Sequence, residues 1–383
     1  MSDVPDIVQR YKYSANYIPD HSAFRKQVLD KTVIPYQVEF QPPPASTTKI
    51  CWLECPYCYG LSADDNGDRL PAERGIEVMR QIAEGGVKKV IFAGYATDPL
   101  NSPYLEDLLE IAIDNQMVFG FNTKALKVSD RMIDLLSRDD IVHTSYMSIS
   151  VDAGSNDVYN RIHGVKTDAP LYDRVLNNIR RVGEARKKNN LFDLSAAYLV
   201  NIHSHQPEEV STFISDFKDA GCNLLRFTFP QPPRGITTDP GVVPTKDESS
   251  NYHSTLAPLI NEQSSDECPI LLVDADSDHD IFHKPRTVPC FARFVYPTVG
   301  FDGWLYHCSQ SSAPNFRPMA LGNLQERDFW DLFYDYDADN LGQYFDGCGK
   351  KMAETGCRCD RKEHVLNADV INSGVFTSEL GAS

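Results

Sequence analysis

The sequence predicts an α/β fold in which about six βα units surround a mainly parallel sheet, followed by a smaller cysteine-rich region. Two observations predict it. Short β-like runs alternate with amphipathic helical runs from Val33 to Phe229, and the cysteines fall into two separate clusters. A chain of 383 residues is long enough for one large α/β domain and a smaller one, since its length suggests two to three domains.

The alternation assigns each element in order. The predicted strands are IPYQVEF, KKVIFAG, MVFGFNT, SYMSISVD, LFDLSAAYLV and CNLLRFTF. The predicted helices are PAERGIEVMRQIAEGG, YLEDLLEIAIDN, VSDRMIDLLS, LYDRVLNNIRRVGEARKK and QPEEVSTFISDFKDAG. We therefore expect an N-terminal extension over 1–32, the βα region over 33–229, a proline-rich linker over 230–288 and a second domain over 289–383. That domain should contain a β-hairpin, because FVYPTVGFDGWLYHC holds two β-like runs around an Asp-Gly turn.

Composition limits the class of partner and the compartment. The net charge of −17 disfavours docking on nucleic acid or on anionic membranes. No apolar run is long enough for a transmembrane helix, and the N-terminus lacks a secretory signal pattern, so we expect a cytoplasmic protein. In that compartment, ten cysteines favour metal or redox chemistry over disulfides.

The first cysteine cluster is CWLECPYC, in which Cys51, Cys55 and Cys58 have the spacing C-x3-C-x2-C directly after the first predicted strand. A structural zinc site needs four closed ligands, which this loop does not offer. A [4Fe–4S] cluster held by three thiolates keeps one iron open for an exchangeable ligand.

This motif, placed after the first strand of a six-unit βα chain, resembles the radical S-adenosylmethionine (SAM) superfamily. The resemblance implies a partial (βα)6 TIM-like barrel and a [4Fe–4S] cluster whose open iron is chelated by SAM. It further implies one-electron cleavage of SAM, removal of a hydrogen atom from substrate by the 5′-deoxyadenosyl radical, and a flavodoxin- or ferredoxin-type electron donor.

The resemblance also implies contacts with SAM. Tyr57 occupies the family's aromatic position near the adenine, and AGYATDP resembles the family's GGEP-like motif, although Asp98 replaces the usual Glu. The implied SAM-binding residues are Tyr57, Gly94, Tyr95, Ala96, Asp98, Ser150 and Arg161.

The second cysteine cluster resembles the SPASM and twitch domains that follow many radical SAM barrels. Cys290 and Cys308 match the C-x12-G-x4-C opening, but Lys351 stands where the full SPASM pattern has a cysteine. The resemblance implies one auxiliary [4Fe–4S] cluster held by Cys290, Cys308 and two of Cys348, Cys357 and Cys359. A second cluster with open sites and a zinc site are the alternatives.

The expected function is a radical SAM oxidoreductase that oxidises a C–H bond of a small natural-product metabolite or a peptide, by dehydrogenation or cross-linking. The short stretch before Cys51 is expected to hold no peptide-leader recognition domain. One alternative is a redox-neutral epimerase or isomerase with Cys222 or Cys268 as hydrogen donor, and another is a non-catalytic iron–sulfur or zinc protein. Position alone suggests Asp152, Tyr198 and Arg226 as catalytic candidates.

Overall fold

A computed structural model describes residues 17–48, 51–58, 60, 65–94, 97–230, 241–273, 289–357 and 359–380. Its strands are β1 Val38–Phe40, β2 Lys89–Phe92, β3 Val118–Thr123, β4 Ser145–Ser150, β5 Phe192–Leu199, β6 Leu224–Thr228, β7 Ile270–Leu272, β8 Thr298–Val299, β9 Trp304–Tyr306 and β10 Gly322–Asn323. Its α-helices are α1 His21–Leu29, α2 Ala72–Glu84, α3 Leu105–Asp114, α4 Asp130–Leu136, α5 Asn156–Ile162, α6 Leu171–Asn189, α7 Pro207–Asp219, α8 Lys246–Gln263, α9 Ala292–Val295, α10 Phe329–Phe333, α11 Leu341–Glu354, α12 Arg361–Asn372 and α13 Thr377–Leu380.

The strands form one ten-stranded sheet in the order β10-β9-β8-β1-β2-β3-β4-β5-β6-β7. Strands β1 to β7 pair in parallel in chain order, as the alternation of strands and helices predicts. The sheet does not close on itself, which confirms the prediction of a partial barrel. Parallel strands joined by helices place all their carboxyl ends at one edge of the sheet, and loops at that edge carry function in such folds.

The two faces of the sheet differ sharply in character. Met147 and Ile149 on β4 have no exposed surface, and Phe227 on β6 packs against Phe213 of α7, so this outer face is sealed by helices. The alternate residues on β4, including Ser148 and Ser150, point to the opposite, inner face. Toward its carboxyl end, β4 therefore presents small polar side chains to the inner face and large apolar ones to the outer face.

Part of the segment predicted as a linker is instead regular structure. Helix α8 begins with a capping box, in which the Thr245 hydroxyl accepts from the Glu248 N–H and the Glu248 carboxylate accepts from the Thr245 N–H. Strand β7 pairs in parallel with β6 and extends the sheet by one strand. The sequence did not predict α8 and β7 because prolines and glycines surround them. In addition, β7 has only three residues, which are too few to show an alternating pattern. Helix α5 also escaped prediction, since seven residues span only two turns.

The predicted hairpin is confirmed. Strands β8 and β9 pair antiparallel across a turn in which Gly303 has a φ of +84°. Glycine adopts this left-handed conformation without a steric clash because it has no side chain. Strand β8 also pairs in parallel with β1, so the C-terminal strands continue the barrel sheet beyond its first strand. Among the described helices, none has the length and apolar content needed to cross a membrane.

Tyr198, one of the three catalytic candidates, lies in the core. Its side chain has no exposed surface, its hydroxyl donates to the backbone carbonyl of Ser204 at 2.7 Å, and its ring packs against Phe213 and Phe227. A side chain on the helix-covered face cannot reach a substrate inside the barrel. The geometry therefore supports a packing role for Tyr198.

We predict that Tyr198→Phe lowers the free energy of unfolding by about 1–2 kcal/mol, because the carbonyl of Ser204 loses its buried donor. Urea unfolding of the metal-free protein measures this loss, and SAM cleavage by the reconstituted protein should be unchanged. Unaltered stability combined with lost SAM cleavage would contradict the packing role.

Candidate functional site

The loop that carries Cys51, Cys55 and Cys58 lies over the carboxyl edge of the sheet. The Asp98 carboxylate, just beyond β2, and the Lys124 ammonium, just beyond β3, both influence the pKa of Cys51. Cys55 is buried, whereas Cys51 and Cys58 are half-buried, and the Cys58 N–H closes a turn onto the Cys55 carbonyl at 3.0 Å. The predicted loop thus lies at the edge where function is expected.

The three thiols are near neighbours. The pKa of Cys55 is raised to about 12, chiefly by burial; Lys124 lowers it, and the charges of Cys58 and Cys51 raise it. Within the described residues, no three His, Cys, Asp or Glu side chains are arranged to hold a metal ion. The donor set still fits a [4Fe–4S] cluster, because the loop gathers three thiols beside a cation. Cluster binding must displace their protons.

Residues after α5 pin the cysteine loop from one side. The Glu54 N–H donates to the His163 carbonyl at 3.1 Å, and the next residue, Gly164, has a φ of +66°. A Cβ at Gly164 would lie 2.6 Å from the Glu54 carbonyl oxygen. The loop can approach this closely only because residue 164 has no side chain.

A buried ion pair supports the loop from below. The Lys124 ammonium lies 2.6 Å from the Asp152 carboxylate, and the other oxygen of Asp152 accepts from the Leu199 N–H at 2.9 Å. Asp152 is fully buried and has a φ of +68°. Burial raises the pKa of Asp152, but Lys124 and the neighbouring hydrogen bonds outweigh burial and leave the pKa below its usual value.

Tyr57 and His163 connect this ion pair to the cysteine loop. The Tyr57 hydroxyl donates to Asp152 at 2.9 Å and lies 3.1 Å from His163 Nδ1, which is 3.3 Å from the Cys55 sulfur. Burial and the nearby Lys124 lower the pKa of His163 to about 3, so the ring is neutral at pH 7. Its Nε2 faces the Val151 carbonyl at 3.1 Å, which assigns the proton to Nε2 because a carbonyl only accepts.

The AGYATDP loop is built on a tight backbone turn. A Cβ at Gly94 would lie 1.6 Å from the Thr97 carbonyl oxygen, so this turn requires glycine. Asp98 begins the short 3-10 helix Pro99–Asn101 and accepts from the Leu100 N–H, the Thr123 hydroxyl and the Lys124 N–H. The Asp98 side chain therefore ties the end of β2 to the end of β3. Tyr95 and Ala96 lie outside the described residues.

The other SAM and catalytic candidates are spread over this edge and the inner face. Ser150 is half-buried at the end of β4, and Arg161 is exposed on α5, close enough to His203 to lower its pKa. Arg226 is half-buried on the inner face of β6. Asp152 cannot act as a free base while it is sealed in its ion pair with Lys124.

Four of the five C-terminal cysteines form a second group of neighbouring thiols. Burial, followed by the charges of Cys359 and Cys357, raises the pKa of Cys290. Burial, Glu363, Cys357 and Cys290 likewise raise the pKa of Cys308. The hairpin thus brings Cys290 and Cys308 together, and the segment before α12 adds the other two thiols.

Cys348 lies in a different setting. Its sulfur is 3.7 Å from His307 Nε2, and burial raises its pKa while Tyr344, Arg293 and Lys351 lower it. Of the three cysteines among which the spacing could not choose, Cys357 and Cys359 lie close enough to Cys290 for their charges to raise its pKa, and Cys348 contacts His307.

Sequence reasoning missed Lys124, His163 and Gly164. Lys124 directly follows a predicted strand, in NTKA. Its position at the carboxyl end of a parallel strand could have indicated a role at the site. His163 and Gly164 follow Arg161 in RIHG, but nothing in that spacing shows that they meet the cysteine loop about 110 residues earlier, a separation that only the fold closes.

An open parallel βα sheet whose first strand leads into a three-cysteine loop at its carboxyl edge defines a radical SAM domain. A family profile described as the Radical SAM superfamily matches residues 45–217. The match covers a little under half of the chain and assigns these residues to a radical SAM domain.

Relatives agree with this assignment. The S-adenosylmethionine-dependent nucleotide dehydratase of Lacinutrix mariniflava is 24% identical over 108 residues, which are 27% of this chain and 21% of that protein. Among solved structures, SuiB of Streptococcus suis bound to S-adenosylmethionine is 15% identical, with a TM-score of 0.54 over 79% of this chain and 66% of SuiB. SuiB bound to its precursor peptide SuiA is 14% identical, with a TM-score of 0.56 over 83% and 68%. At these identities the structural likeness shows the fold.

We predict that Gly164→Ala weakens iron binding by the Cys51, Cys55 and Cys58 loop, because the new Cβ would overlap the Glu54 carbonyl. Gly241→Ala is the matched control, since Gly241 has a φ of +70° with nothing within 4 Å of its Cβ position. Both changes should cost about 1 kcal/mol of stability from the left-handed backbone. Iron analysis after anaerobic reconstitution should show a loss only for Gly164→Ala; equal iron contents would contradict the pinning of the loop.

We also predict that Asp152→Asn lowers the free energy of unfolding by about 3 kcal/mol at pH 7, because it leaves the Lys124 ammonium without its carboxylate. Glu184→Gln, which breaks the exposed pair with Lys187, should cost less than about 1 kcal/mol. Urea unfolding of the metal-free proteins gives both values.

The same ion pair has a defined pH dependence. Because the folded-state pKa of Asp152 lies below its usual value, the pair stabilises fully above about pH 4 and weakens as the pH falls through that lowered pKa. The difference between wild type and Asp152→Asn should therefore be constant between pH 6 and 8. A difference that grew across that range would contradict the assignment.

Proposed function

We propose that the protein is a radical SAM oxidoreductase that reductively cleaves SAM, removes a hydrogen atom from a C–H bond and completes a net oxidation of its substrate. The observation that carries the proposal is the gathering of Cys51, Cys55 and Cys58 beside Lys124 at the carboxyl edge of the barrel. Three thiols without a fourth suit a cluster that needs one open iron.

Cys51, Cys55 and Cys58 would hold the first [4Fe–4S] cluster, which when bound supplies the electron that splits SAM. The chain's own residues position and insulate this site. Asp152, paired with Lys124, accepts a hydrogen bond from the hydroxyl of Tyr57 in the loop, and His163 packs against Cys55. The positive charge of Lys124 offsets the negative charge that three thiolates gather there.

The SAM contacts inferred from the family resemblance are part of the proposal. Gly94 supports it because the tight turn at the carboxyl edge of β2 leaves no room for a Cβ at this position. Ser150 supports it because it ends β4 on the inner face, half-buried. Tyr57 would contribute its ring, since its hydroxyl is already engaged by Asp152. Arg161 would meet the SAM carboxylate.

An auxiliary [4Fe–4S] cluster held by Cys290, Cys308, Cys357 and Cys359 would accept an electron from the oxidised substrate. The charges of Cys359 and Cys357 on Cys290, and of Cys357 and Cys290 on Cys308, support this ligand set. The Lys362 ammonium lies beside it, and although burial lowers its pKa, Glu363, Glu39, Tyr17 and Cys308 raise the pKa above its usual value. After hydrogen-atom removal, the substrate must lose one further electron and one proton to be oxidised by two electrons.

The proposed substrate is a peptide or a small natural-product metabolite. The solved complex of SuiB with its precursor peptide supports the peptide. A flavodoxin- or ferredoxin-type donor in the cytoplasm would supply electrons, a role that the family generally requires.

A redox-neutral isomerase is a weaker candidate on this geometry. Cys222 precedes β6 and Cys268 precedes β7, so both lie at the amino edge of the sheet, opposite the three-cysteine loop. Both are buried, and each lies close enough to Arg186 for its charge to affect their pKa. A hydrogen donor must face the substrate, and these two thiols face the core.

Anaerobic reconstitution followed by iron analysis and EPR tests the proposal. Wild type should bind about eight irons and the Cys51/Cys55/Cys58→Ala variant about four, with a SAM-induced change in the EPR signal only in wild type. Zinc without iron would contradict the assignment as a radical SAM enzyme. Four irons in wild type with none in the variant would mean that there is no auxiliary cluster to accept an electron, which would contradict the proposed net oxidation.

We predict that Cys357→Ser and Cys348→Ser differ in iron content. Cys357→Ser should lose about four irons, while Cys348→Ser should keep the wild-type content, because the charge of Cys357 acts on both Cys290 and Cys308, whereas the Cys348 sulfur contacts His307 Nε2. Loss of iron from Cys348→Ser with retention in Cys357→Ser would contradict the ligand set.

A further inference from the structure

Arg226 lies on the inner face of the barrel, next to short side chains of β4 and β5. Arg226 lies between Leu225 and Phe227, which are buried on the helix-covered face, so its own side chain points to the inner face. It is half-buried, with Leu271 beside it on β7 and a short neighbour on β5. Ala197 pairs directly with Arg226, and Ser150 pairs with Ala197 on the next strand.

Within the portion of the chain that the structure describes, the guanidinium of Arg226 makes no hydrogen bond, ion pair or ring contact. Lys89, another cation on this face, lies over the rings of Tyr36 and Tyr146 instead. A guanidinium that is half-removed from water and has no partner inside a concave wall is set up to receive an external ligand.

The height of Arg226 in the barrel places this ligand beside SAM. Ser150, Ala197 and Arg226 stand in one row across β4, β5 and β6, so Arg226 lies two strands, roughly 10 Å, from Ser150. In the proposed function, Ser150 is one of the residues that contact SAM. A substrate group held by Arg226 would therefore share the layer in which hydrogen-atom removal occurs.

We propose that Arg226 is the substrate-anchoring residue of the barrel and that it binds an oxyanion of the substrate, a carboxylate or a phosphate. The planar fork of a guanidinium matches both groups with two parallel hydrogen bonds. The small side chains of Ser148, Ser195 and Ala197 leave space in front of it. The overall charge of −17 repels anions at long range, so recognition of an anionic substrate depends on such local cations.

The inference rests on the proposed function, and its test uses anaerobically reconstituted wild type with SAM. Phenylglyoxal modifies accessible arginines, and mass spectrometry reads each site separately. Exposed Arg80 on α2 is the internal control. Glutarate or inorganic phosphate, at ten times its Kd, should slow labelling of Arg226 about tenfold and leave Arg80 unchanged, while neutral glutaramide should protect neither.

Calorimetry on variants provides the second arm. Arg226→Gln should weaken binding of the protecting probe about tenfold or more, Arg226→Lys should retain part of it, and Arg80→Gln should match wild type. Stronger binding of glutarate would identify a carboxylate, and stronger binding of phosphate a phosphoester.

Three outcomes would overturn the proposal: no labelling of Arg226, equal protection of Arg80, or unchanged binding in Arg226→Gln. SAM cleavage and iron content measured on the same samples separate the two levels. Retained cleavage without protection would reject the anchor alone, whereas absent cleavage would reject the proposed function.

Discussion

The ion pair between Lys124 and Asp152 is the interaction on which the site depends. It joins the loops after β3 and β4, receives the N–H of Leu199 from β5 and holds the hydroxyl of Tyr57 inside the cysteine motif. One carboxylate thus ties three strand ends to the loop that would bind iron. Burying a charge costs free energy, and the geometry here compensates for it with a close partner and two hydrogen bonds.

A similar arrangement recurs at the second group of thiols. Lys362 on α12 lies near Cys308, and its ammonium packs 4.1 Å from the centre of the Tyr296 ring. Each group of thiols therefore has one largely buried lysine beside it, although the whole chain is strongly acidic. Thiolate-bound iron–sulfur clusters carry net negative charge, so a local cation favours their assembly and influences their reduction potential. Lys124 pairs with Asp152, and Lys362 interacts most strongly with the charges of Glu363 and Glu39, so each lysine also balances buried carboxylates beside its group of thiols.

Much of the fold followed from the sequence because its pattern is local. Buried parallel strands and amphipathic helices alternate over the whole barrel, so each predicted strand from β1 to β6 has a counterpart in the structure. Prediction failed where the signal was short, as for β7, or where proline-rich flanks hid a helix, as for α8. The cysteine spacings identified both groups of thiols, but a spacing alone could not separate Cys348 from Cys357, since the choice depends on how α11 packs.

The residues that support the site could not be predicted for the same reason. Lys124 supports the site through its contact with Asp152, and His163 through its contact with Cys55. The fold brings these residues together from distant positions in the sequence. Arg226 was recognised by position, but the absence of a protein partner is a property of the folded chain. The central claim, that this is a SAM-cleaving enzyme, is tested most directly by chromatography of the reconstituted protein with SAM and dithionite. Wild type should form 5′-deoxyadenosine, and the Cys51/Cys55/Cys58→Ala variant should form none. A wild type that holds its iron but forms no 5′-deoxyadenosine would contradict it.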